Sequence, residues 1–128
     1  MSWLGGRTSL GEVLGLRAPL GGQVEGLRTD AAATAPGRTA QLITARVEQL
    51  VSGEGSLASF GPLTPGEQTV VDIADQFLLD AHGIDDALVA SLGQHYTAAE
   101  QVGLLFHLAL ADGFAKFGRV FGVSEEAR

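Results

Sequence analysis

The chain carries three imidazoles, His82, His95 and His107, and no cysteine. No two of the histidines stand at the H-x-x-x-H spacing that sets two metal ligands on one helix face, so neither a metal site nor a cofactor is read. Without a thiol there is no disulfide framework, no Cys-ligated zinc or iron–sulfur group, no thiol nucleophile and no CxxC couple. No G-x-S-x-G elbow and no phosphate-cradling glycine loop after a strand is present either. His82, with Asp80, Asp85 and Asp86 close in sequence, reads as a helix-end residue rather than a metal ligand. His95 stands just before Thr97 and reads as a hydrogen-bonding residue of that turn. His107 is the sharpest candidate, because it lies within the most apolar stretch, where an imidazole must be hydrogen-bonded or neutral. Two roles stay open for it: a core or interface histidine held by a carbonyl or carboxylate, or a general acid/base in a small pocket. Glu100 is about 10 Å away by helical rise, so its partner must come from another helix or another subunit. Asp112 is expected to face Arg46 or Arg119 across a helix pair, fixing register more than adding stability.

The elements that must position these residues are helical. Three stretches match the capping-box pattern S/T-x-x-E, at Ser9–Glu12, Thr64–Glu67 and Thr97–Glu100. The second is reinforced by Pro65 at the first helical position. After it, Val70, Val71, Ile73, Ala74, Phe77 and Leu78 recur at helical spacing. The spacing predicts helices over 9–28, 38–51, 65–81, 85–94 and 97–121. The first should be broken by its five glycines and Pro19, and 30–37 should be a loop. No strand-like alternation of useful length occurs, so the fold class is all-α. The last helix is apolar nearly all round from Val102 to Leu110, and a chain of 128 residues has little surface with which to cover it. A subunit interface through the 97–121 and 65–81 helices is therefore expected. Phe106, Phe114, Phe117 and Phe121 are read as packing residues.

Composition narrows the partners. Net charge is −7, which does not suit a polyphosphate backbone and argues against nucleic acid. All of that charge falls in residues 61–128, where three basic residues face ten acidic ones. A solvated acidic face explains it, and a docking surface for a basic partner is the alternative. The longest apolar run, Val102–Ala111, is about half the ~20 residues of a membrane span. The opening MSWLGGRTSL lacks the apolar core of a secretory signal, so a cytoplasmic location is expected. Residues 1–128 read as a single domain with 1–8 as a disordered start.

The run from Leu63 to Val123 resembles the C-terminal half of the carboxymuconolactone decarboxylase and alkylhydroperoxidase D-like family. The likeness rests on LTPGEQTVVDIADQFLLD and HGIDDALVASLGQHYTAAEQVGLLFHLALADGFAKFGRVFGV. Upstream, GEVLGLRAPLGGQVEGL and ATAPGRTAQLITARVEQL are similar to that family's preceding segments, so the resemblance covers about three quarters of the chain. It implies an oligomeric alkylhydroperoxidase D-like helical bundle. In the family, the helix matching Arg46-Val47-Glu48-Gln49-Leu50 leads to one bearing C-x-x-C and a histidine; here it runs directly into VSGEGSLASFGPLTP. The sulfur-bearing segment is missing, which excludes the family's thiol peroxidase activity. Glu67 falls at the family's P-x-E position, where its capping role alone accounts for it and a salt bridge or a polar site is the alternative.

The resulting expectation is a structural or partner subunit without redox chemistry, assembling with itself or with a related cysteine-bearing chain. The competing expectation is a cofactor-free decarboxylase or isomerase of a small anionic lactone or acid, with His107, Glu67 and Arg46 as catalytic residues at a subunit interface. A third reading is a small-ligand binder whose apolar cavity, lined by the phenylalanines, would need about 300 Å³ or more.

Overall fold

The computed structural model describes residues 9–17 and 20–122; the expected disordered start at 1–8 lies outside them. Among the described residues there are six α-helices and no strand: α1 Leu10–Leu14, α2 Leu20–Thr34, α3 Thr39–Ser52, α4 Pro65–Leu79, α5 Asp86–His95 and α6 Ala98–Phe121. The all-α reading holds. Short 3-10 turns occupy Gly15–Arg17, Ala58–Phe60 and Ala81–Gly83.

Local chemistry explains the sharp starts. Thr64 Oγ1 accepts from the Glu67 amide at 3.1 Å while Glu67 Oε1 accepts from the Thr64 amide at 2.9 Å. The same reciprocal pair joins Thr97 and Glu100. Each satisfies two of the first-turn donors a helix leaves free. Asp85 caps α5 through the Ala87 amide. The helix ends follow from glycine: Gly53 and Gly122 adopt φ of 76° and 68°, left-handed values open to a residue without Cβ.

The first half departs from expectation. Ser9 and Glu12 do make their side-chain contacts, but α1 lasts one turn. Helix α2 runs to Thr34 instead of ending before Asp30. Ala31, Ala32 and Ala33 are strong helix formers, and Ala31 is buried, so propensity and packing carry the helix through. It stops only where Pro36 disfavours helical geometry at Ala35. Leu79 ends α4 two residues early, with Asp80 extended and its carboxylate accepting from the His82 amide.

The core is formed by Ile43 and Val47 of α3, Val70, Ile73 and Ala74 of α4, Leu92 of α5, and Leu104, Leu108 and Ala111 of α6. Helix α6 packs against α2 and α3, and α3 also packs against α4. Gly103 permits the α2 contact: a Cβ there would lie 2.6 Å from both the carbonyl oxygen and the hydroxyl of Thr34. Val71 and the core residues of α4 are buried within the chain, while Leu79 at its end is exposed. Helix α6 exposes an apolar face. Val102, Phe106, Phe117 and Val120 are 68%, 46%, 38% and 77% exposed in the single chain, although Phe117 packs on Phe121 with ring centroids 4.7 Å apart.

Gly103→Ala should lower unfolding free energy by about 1–3 kcal/mol, because backbone atoms must shift to admit the methyl. Gly26→Ala, in α2 with nothing within 4 Å of the new Cβ, should be neutral or stabilising by up to about 1 kcal/mol. Urea titration of both variants measures the contrast.

Candidate functional site

His107, Glu67 and Arg46 each have their own partners, and none of the described hydrogen bonds joins two of them. On α6, His107 Nε2 lies 3.0 Å from Thr44 Oγ1 and 3.1 Å from the Ala40 carbonyl oxygen, both on α3. A carbonyl only accepts, so in the neutral ring Nε2 carries the proton and Nδ1 is bare. Nδ1 is buried, with no hydrogen-bond partner among the described residues. Burial pushes the His107 pKa below its usual value; the Ala40 bond opposes this and the charge of Arg28 reinforces it. The result is a neutral imidazole bridging two helices.

Glu67 is held by Arg38, a residue that sequence spacing alone does not single out. Arg38 Nε and Nη2 donate to the two carboxylate oxygens at 2.7 and 2.9 Å, and Nη1 donates to the Phe60 carbonyl at 2.7 Å. The guanidinium also lies over the Phe60 ring. This side chain thus ties the start of α3 to the 57–63 connection and the start of α4. Its two-pronged bond, followed by the Thr64 amide, lowers the Glu67 pKa to about 2. A carboxylate so held is an anchor, and a poor proton donor at neutral pH.

Arg46 engages Asp75 of α4 in the same forked manner, Nε to Oδ1 at 2.6 Å and Nη2 to Oδ2 at 2.9 Å, while Nη1 donates to Gln49. Its pKa is raised, chiefly by the Asp75 bond. Asp112, expected opposite Arg46 or Arg119, instead lies 2.8 Å from Lys116 one turn along α6. That contact is an ion pair without hydrogen-bond geometry at Oδ1. His95, expected to hydrogen-bond in its turn, packs its Cβ against Gly66 at the start of α4.

An open groove of about 340 Å³ lies among Leu50, Val51, Leu78, Leu79, Lys116 and Arg119. It reaches the size set for a ligand cavity, but no phenylalanine and none of the three candidate residues lines it. Among the described residues no group of three or more His, Asp or Glu is placed to hold a metal, and no helix is long and apolar enough to cross a membrane. No protein-family model, curated protein or solved structure matches the chain.

The two groups whose pKa is lowered, His107 and Glu67, destabilise the fold on acidification. His107 has a folded pKa below the usual 6.5, so the unfolded chain binds its proton first and stability falls as pH drops below that value. Glu67 contributes stability above its ordinary 4.5, and loses it as pH falls toward 2. Thermal melts from pH 8 to 3 should therefore show declining Tm in two stages. His107→Gln should flatten the first and Glu67→Gln the second.

Proposed function

We propose that the chain is a non-catalytic assembly subunit, resembling a shortened carboxymuconolactone decarboxylase-like protein that has lost the thiol-bearing segment. The observation that carries this reading is the exposed apolar face of α6, in a chain whose candidate polar residues are already engaged with other partners. Glu67 and Arg46 are neutralised by Arg38 and Asp75, and His107 bridges α6 to α3. Such pairs position helices. A catalytic site instead needs acid, base and anion-binding groups converging on one cavity. An alkylhydroperoxidase D-like bundle is the form proposed for the assembly, built from copies of this chain or from this chain and a related cysteine-bearing one.

The test is mass in solution by sedimentation, together with assays on small anionic lactones and acids. The expected result is a particle of two or more chains with no turnover above background. Sustained decarboxylation or isomerisation that falls at least a hundredfold in His107→Gln, with the fold intact, would replace this reading with the enzyme one.

A further inference from the structure

The exposed face of α6 reads alike in both directions. Val102, Phe106 and Ala109 are followed by Gly113, Phe117 and Val120, all exposed. Relative to Ala111, the valines lie nine residues to either side, the phenylalanines five and six, and the two small residues two. Spaced by three and four, the six fall on one stripe of the helix. A Cβ built on Gly113 meets nothing within 4 Å, so the middle of the stripe is a notch open to solvent.

We infer that this face pairs with the same face of a second copy, antiparallel, about a two-fold axis crossing α6 at the level of Ala111. The inference rests on the assembly reading above and names its partner and register. A two-fold contact requires a surface that complements itself, residue i meeting j while j meets i. Here the axis sets Val102 opposite Val120 of the second copy, Phe106 beside Phe117, and Ala109 opposite Gly113. Small residues at the crossing let the helix axes approach closely, and the phenylalanines stack on either side of it.

Opposition from charge is long-range, from the net −7 of each copy, and not from acidic groups within the contact; exposed Arg119 stands at its border. No acidic side chain lies on the stripe, and Lys116 at its border is already paired with Asp112. Area decides how much surface takes part. From Val102 to Val120 the stripe is about 27 Å long and about 10 Å wide, on the order of 300 Å² per copy. A standard interface takes about 800 Å² per partner. Helix α2, beside α6 through Gly103 and through Arg28 over Phe114, also carries exposed Leu20 and Leu27, the further apolar surface on which the pairing draws. A two-fold axis brings both copies of α2 to one side of the α6 pair, where these leucines enlarge the contact.

Gly113→Leu tests this with opposite signs for folding and pairing. Replacing an exposed helical glycine should raise the monomer's Tm by roughly 3 °C. Filling the notch should weaken the dimer at least tenfold by sedimentation. Because the chain has no cysteine, a mixture of Ala109→Cys and Gly113→Cys chains gives a clean register test. The mixed 109–113 disulfide should form faster than either homodimer. Added salt should strengthen the association, since each copy carries a net charge of −7.

A wild-type chain that stays monomeric up to about 100 μM, a dimer indifferent to Gly113→Leu, or a dominant 109–109 disulfide each overturns the inference. In the last two cases the assembly reading survives without this register. Association that salt weakens, and that occurs only on adding a basic protein, assigns the face to an oppositely charged partner and also overturns it.

Discussion

The constraint beneath this structure is geometric: α6 is 24 residues long and apolar around most of its circumference, while the shorter helices reach only part of it. Leu104, Leu108 and Ala111 are sealed against the rest of the bundle. The side carrying Phe106 and Phe117 is left in water. Burial of α6 organises the core, because α2 and α3 both pack on it and α4 joins through α3. The same helix thus supplies both the centre of the folded unit and its exposed apolar stripe.

Polar groups act on this frame as ties between elements. Arg38, just before α3, and Arg46, in its middle, each grip a carboxylate of α4, and His107 fastens α6 to the backbone of α3. Forked guanidinium–carboxylate bonds fix direction as well as distance, which suits them to setting the angle between two helices. The ties are partly exposed, so their worth lies more in specifying one arrangement than in raw stability.

Much of this was legible before any coordinates, where the signal is local. The starts of α4 and α6 are written in T-x-x-E pairs whose bonding depends only on neighbours, and both begin where that pattern places them. The reach of α2 was not legible in the same way, because glycines and alanines in one segment pull in opposite directions until packing decides. Partner choice was the least legible. Arg38 and Glu67 are 29 residues apart, as are Arg46 and Asp75, and only the docking of α3 on α4 matches them. The Asp112–Lys116 pair is the exception among the pairings: its spacing of four on one helix is a local signal, legible from sequence alone.

The chain's lack of cysteine, and of any methionine beyond Met1, has a consequence for its chemistry in an oxidising setting. From residue 9 onward the helices are built without a single sulfur atom. Peroxides and disulfide reagents therefore find no thiol to bridge and no thioether to turn polar inside the packed interior. The bundle's integrity is decoupled from the redox poise around it.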